Sequence, residues 1–159
     1  MKITVITVGK IKEKYFRDAV KEYEKRLSKY CKLEILEAAD ESTPDKISAA
    51  MEDQIKKKEA ERILRFLKKD SYVITLEIQG DRFTSTGLAS HLDSLGLSGI
   101  SHLTFIVGGS LGLHHTVTDL SDLKISFSDM TFPHQLMRVI LLEQIYRAYR
   151  IISHEPYHK

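Results

Sequence analysis

The stretch Leu103–Arg138, LTFIVGGSLGLHHTVTDLSDLKISFSDMTFPHQLMR, decides the fold. Leu103 to Val107 is a short apolar run containing Phe, Ile and Val, the pattern of a buried strand. Gly108, Gly109 and Gly112 let the backbone turn sharply and approach a ligand closely. A short helix then leads to a second strand, Leu123 to Phe127. Ser128-Asp129-Met130-Thr131-Phe132 forms a tight loop, and Pro133 suits the first turn of the helix behind it. Two strand ends followed by tight loops, each feeding a helix, are how open α/β sheets build a ligand crevice.

Working outward, residues 2–8 (KITVITV) read as a strand broken by Gly9-Lys10. From Glu13 to Tyr30 the residues Tyr15, Phe16, Ala19, Val20, Tyr23, Leu27 and Tyr30 recur at helical spacing, with Lys14, Lys21, Lys25 and Arg26 opposite. Such an aromatic stripe fits a core face, and base stacking is the alternative. Lys32–Ala38 alternates as a half-exposed strand, and Asp40–Asp45 is a loop. Asp45–Lys68 is a helix with Ile47, Met51, Ile55, Ile63, Leu64 and Leu67 inward. Ser71–Ile78 is the strongest strand in the chain, Gln79-Gly80-Asp81 a turn, and Thr84–Leu95 a helix. Pro133–Ile152 is a long helix, apolar on most faces, so it must be covered on more than one side. One domain of this size offers one side, which predicts a homodimer through this helix. Proline stops the helix and leaves a short polar tail, His154–Lys159. The alternation of strands and helices predicts one α/β domain over residues 1–159, a mostly parallel sheet with helices on both faces.

The chain's 159 residues, 42% hydrophobic and 29% charged, fit an ordinary globular protein. Its one cysteine, Cys31, permits no internal disulfide. No apolar run is long enough for a signal region or a membrane span, so a cytoplasmic protein is expected. The net charge of +2 is unevenly spread: Lys10–Lys32 holds nine basic and four acidic residues. Glu34–Glu52 is acidic, with Lys46 alone against it. A basic segment of this kind is either a solvated surface or a footprint for phosphates.

Several chemistries are excluded by pattern. Cys-x-x-Cys and His-Glu-x-x-His are absent, and adjacent His114 and His115 face different sides of a helix, so no metal site is expected. Gly-x-Ser-x-Gly is absent, which argues against an α/β-hydrolase. Gly9-Lys10 lacks the rest of a P-loop, and Gly108–Gly112 is not a dinucleotide fingerprint. Cys31 reads as structural. The loop 128–132 has the mixed apolar and polar character that wraps an adenosine moiety.

ITVGKIKEKY at 6–15, VGGSLG at 107–112, SFSDMTFPHQLMR at 126–138 and YHK at 157–159 together resemble the RlmH family. These are SPOUT-class methyltransferases acting on a pseudouridine of 23S ribosomal RNA. The resemblance covers the whole chain. It implies a trefoil knot near the carboxyl terminus, which general connection rules disfavour. It implies S-adenosylmethionine as cofactor, held at Leu76 and its turn, Gly108 and its turn, and the loop Phe127, Ser128, Asp129, Met130, Thr131 and Phe132. The Asp129 side chain has no evident task there. The implied partner is 23S rRNA in the ribosome, with no DNA and no membrane, and the family builds each site from both chains of a dimer.

The sulfonium methyl is already activated, so alignment with the attacking nitrogen is the main task. The pseudouridine N3 proton must leave, and His158 is the candidate base. Tyr157 is placed to stack on the base, and Arg138 to hold phosphate or the base carbonyls. Lys159, Arg147 and Lys10 are candidates for RNA contact, though Arg147 and Arg150 also fit a plain surface role. Two other classes stay open: a ribosome-binding module without catalysis, and a small-molecule nucleotide-binding protein using the glycine turn.

Overall fold

A computed structural model describes residues 1–159. Five strands, β1 (Lys2–Val8), β2 (Lys32–Ala38), β3 (Tyr72–Arg82), β4 (His102–Val107) and β5 (Leu123–Ser126), form one sheet in the order β2-β1-β4-β3-β5. Every pairing is parallel. The helices are α1 (Lys14–Leu27), α2 (Ala49–Phe66), α3 (Ser85–Leu97), α4 (His115–Thr118) and α5 (His134–Ile152). All six residues of β4 are buried, which is why its apolar run shows no alternation. Its polar members are paired or packed: His102 Nε2 lies 2.9 Å from the Thr4 hydroxyl on β1.

Two cores flank the sheet. On one side Ile3, Val5, Leu103, Phe105, Ile74 and Ile125 meet α1, α3 and α5. On the other Ile6, Val8, Val73 and Ile106 meet Ala60 and Ile63 of α2 and Val117 of α4. The expected sheet with helices on both faces is therefore present. α2 starts later than its periodicity predicts, at Ala49, because the Ser48 hydroxyl accepts from the Met51 N–H and caps it. Cys31, just beyond α1, is buried in the first core, and burial pushes its thiol up to about 11.

The covering of α5 differs from the sequence expectation. Its inner residues Arg138, Leu141, Leu142, Ile145 and Ala148 face the sheet, while α1 and α3 pack against it on either side. This chain alone thus covers three sides of the helix. Only an outer stripe remains, half-buried Leu136, Val139 and Ile140, outside both cores.

The end of β3 also differs. A turn at Gln79–Asp81 was expected, but the strand continues to Arg82. Ile125 of β5 pairs with Leu76 and, after a register shift, with Asp81, while Ser126 pairs with Arg82. The residues between bend around β5. A Cβ on Gly80 would stand 2.6 Å from the Ile125 carbonyl carbon and 2.7 Å from its nitrogen. These are backbone atoms that cannot step aside, so only glycine fits the bend. Gly80→Ala is expected to cost about 2 kcal/mol, read as a fall in melting temperature of roughly 6 °C.

The carboxyl end of α5 is not stopped by Pro156, as expected from the sequence. His154 takes a left-handed conformation with φ 54°. Its N–H donates to Ile151 O, and that of Glu155 donates to Arg150 O, closing the last turn before the proline is reached.

Candidate functional site

The carboxyl ends of β3, β4 and β5 open into a cavity of about 690 Å³. This is where parallel sheets with a reversed strand order place ligands. Three segments form its walls: Leu76–Gln79 in the β3 bend, Val107–Leu113 after β4, and Ile125–Ser128 with Met130–His134 after β5. Met137 of α5 and Thr118 of α4 complete the lining. Of the residues expected to hold a cofactor, Leu76, Gly108, Phe127, Ser128, Met130, Thr131 and Phe132 all line this cavity.

Local chemistry explains the walls. At Gly108 a Cβ would stand 2.9 Å from the Gly112 carbonyl carbon, so the turn closes on itself only with glycine there. The loop after β5 is braced from within. The Ser126 hydroxyl donates to Ser128 O at 3.2 Å, and the Ser128 hydroxyl accepts from the Met130 N–H at 3.0 Å. Met130 and Phe132 remain exposed at the mouth. His134 also lines the cavity; burial, helped by the nearby Arg138 charge, pulls its imidazole below the ordinary value and keeps it neutral.

Asp129 does not line the cavity. Its carboxylate is exposed and pairs with Arg82, linking the loop to the end of β3.

Arg138 is not brought to the cavity either. It is 2% exposed. Its guanidinium donates to Val8 O at 2.6 Å, Gly9 O at 2.7 Å and the Glu37 carboxylate at 3.0 Å. These bonds tie the start of α5 to the ends of β1 and β2 as a clamp, while the buried Nε makes no hydrogen bond. The acceptors lie 101 to 130 residues upstream, beyond any spacing signal. Lys10 stands exposed beside this clamp, on the same rim as the cavity.

The terminal tail is fastened rather than loose. Glu155 pairs with Arg150 and accepts from the Tyr30 hydroxyl at 2.7 Å, and Arg150 also donates to Pro156 O. The Tyr157 ring lies under the Arg147 guanidinium, 4.7 Å from the ring centre, and edge-on to Tyr146. Its hydroxyl donates to Glu143, which also takes two bonds from Arg147. Burial, with Tyr23 and Glu143 close by, pushes the Tyr157 phenol up to about 12, so it stays protonated. His158 is exposed with Nδ1 3.4 Å from Arg147, and Lys159 is exposed. None of these tail residues lines the cavity of its own chain. They lie on the outer face of α5, about 15 Å along the helix from Met137.

His114 takes a role that its sequence did not show: it is buried, caps α4 through Nδ1 and lies 3.4 Å from Asp53 of α2. No cluster of His, Cys, Asp and Glu could hold a metal ion, and no helix is long and apolar enough to cross a membrane.

A crevice walled by three loops at the carboxyl ends of a parallel sheet is a site for a small ligand with a nucleoside-sized body. Residues 1–158 match the family described as "Predicted SPOUT methyltransferase", and the chain belongs to that family. Within it, the chain groups with the proteins called ribosomal RNA large subunit methyltransferase H. It is 62% identical over 159 residues, all of both chains, to a Methanococcus maripaludis protein provisionally given that name. It is 60% identical to the enzyme so named from Bifidobacterium adolescentis and 52% identical to that from Acetivibrio thermocellus, again over the full length of each.

Proposed function

We propose that this protein transfers a methyl group from S-adenosylmethionine to N3 of a pseudouridine in 23S rRNA on the assembled ribosome, in the cytoplasm and as a homodimer. The observation that carries the reading is the three-walled cavity at Leu76–Gln79, Val107–Leu113 and Ile125–Ser128 with Met130–His134. These are the segments that the family resemblance assigns to the cofactor. The cavity fits the cofactor chemically: glycine-rich backbone for close approach, apolar walls for the adenine, and few charges. S-adenosylmethionine supplies an activated methyl group on a sulfonium. The loop residues Phe127, Ser128, Met130, Thr131 and Phe132 would hold and orient it, and the apolar side chains among them would exclude water from the reacting end. His158 accepts the N3 proton, Tyr157 stacks on the base, and Lys159 with Lys10 neutralises phosphate.

The tail lies away from its own cavity, and a second copy resolves this. The apolar stripe Leu136-Val139-Ile140 occupies the first half of the outer face of α5, and the tail covers the second half. In the dimer we propose, a two-fold axis passes through the stripe perpendicular to α5 and the two α5 helices lie antiparallel. Arg147 is then about 12 Å from the axis along the helix, and Pro133 of the facing chain about 9 Å in the same direction. Each tail thereby reaches the other chain's cavity mouth. Ile140→Glu is expected to give a monomer by light scattering that still binds S-adenosylmethionine but transfers no methyl group.

The direct test is transfer of labelled methyl from S-adenosylmethionine to ribosomes lacking the modification, with free 23S rRNA alongside. Label at a pseudouridine N3 in ribosomes supports the whole reading. Label on free RNA alone keeps the chemistry and removes the assembled ribosome as substrate. Binding without label on either favours a ribosome-binding module.

A further inference from the structure

Among the residues lining the cavity there is no lysine or arginine, and only one carboxylate, Glu77. It sits half-buried in the β3 bend, next to Leu76. The Thr75 hydroxyl donates to its Oε1 at 2.6 Å, which fixes the side chain and leaves Oε2 without a protein partner. Neutral His134 adds no positive charge to the lining. Arg82 and Asp129, outside the lining, neutralise each other. A cavity with this charge pattern favours a ligand carrying net positive charge.

We infer that Glu77 is a specificity-determining residue, its carboxylate favouring the sulfonium form of the cofactor over the neutral thioether left after transfer. The inference rests on the proposed cofactor. S-adenosylmethionine and S-adenosylhomocysteine share adenine, ribose and amino-acid groups; they differ by one methyl group and one positive charge. Apolar walls and backbone contacts treat the two nearly alike, so a fixed charge is the feature that separates them. A carboxylate near a cation in a half-screened site changes affinity by about tenfold. Weaker retention of the thioether also helps the spent cofactor leave.

The experiment is calorimetric titration of both ligands into the full-length protein and into Glu77→Gln. This variant keeps the side chain's shape and its acceptor for Thr75. The expected result is about a tenfold loss of affinity for S-adenosylmethionine with S-adenosylhomocysteine nearly unchanged, so that the ratio of the two Kd values shifts by that factor. Retained thioether binding also shows that the variant is folded. Equal weakening of both ligands, or no change in either, overturns the inference while leaving the cofactor reading intact; carboxylate contacts to the shared ribose hydroxyls produce that pattern. If the unaltered protein binds neither ligand, the cofactor reading itself fails and the inference with it.

Discussion

Removing Tyr157, His158 and Lys159 is expected to lower methyl transfer by roughly a thousandfold or more while cofactor affinity stays close to that of the full chain. Loss of a positioned proton acceptor alone accounts for roughly a hundredfold to ten-thousandfold. Under the proposed mechanism the deletion also removes the ring assigned to base stacking and the cation assigned to phosphate. Cofactor binding survives because no tail residue lines the cavity of its own chain. The fold survives because the deletion begins after Glu155, whose pairing with Arg150 and Tyr30 holds the end of α5. Single-turnover transfer and calorimetric cofactor binding on the same preparation check both halves. Turnover that persists in the truncated chain removes His158 and Tyr157 from the chemistry.

Arg138→Met is expected to cost about 3 kcal/mol, a fall in melting temperature of roughly 9 °C for a chain of this length. The substitution preserves bulk but leaves Val8 O and Gly9 O without their donor and Glu37 without its cation. α5 starts one residue after Pro133, so loosening the clamp also loosens the Met130–His134 wall of the cavity, and cofactor affinity falls with stability. RNA binding separates this role from the one expected from the sequence. A clamp leaves the salt dependence of RNA affinity unchanged, whereas loss of a phosphate contact lowers the slope by about one. Thermal denaturation and a salt titration of RNA binding therefore give opposite patterns for the two roles.

Where interactions are local, the chain reads easily. β1, β4 and most of β3 follow from short apolar runs, and α1 and α5 from helical spacing. The Ser48 cap moved one boundary by a few residues. What was hidden depends on partners far away in sequence. The β3 extension exists because Asp81 and Arg82 find β5 some forty residues later, and nothing in Gln79-Gly80-Asp81 announces that pairing. Arg138 reads as a free cation in the sequence because two of its acceptors are main-chain carbonyls, which leave no mark in composition, and the third, Glu37, lies 101 residues away. The left-handed His154 ends α5 without the glycine that normally signals such a stop. In the candidate site, the loop positions came from motif resemblance rather than periodicity, and the cavity that joins seven of them became visible only in three dimensions. Because α1 and α3 flank α5 within one chain, only its outer stripe and the displaced tail point to a second copy.

The chain's one thiol, Cys31, is buried and protonated far above neutral pH, so it reacts slowly with alkylating reagents. The protein is thus a nearly silent background for site-directed labelling. A cysteine placed at exposed Lys159 takes up a spin label or fluorophore selectively. Two such labels, one on each chain of a dimer, turn the molecule into its own ruler, reporting the path of each tail as ribosomes are added.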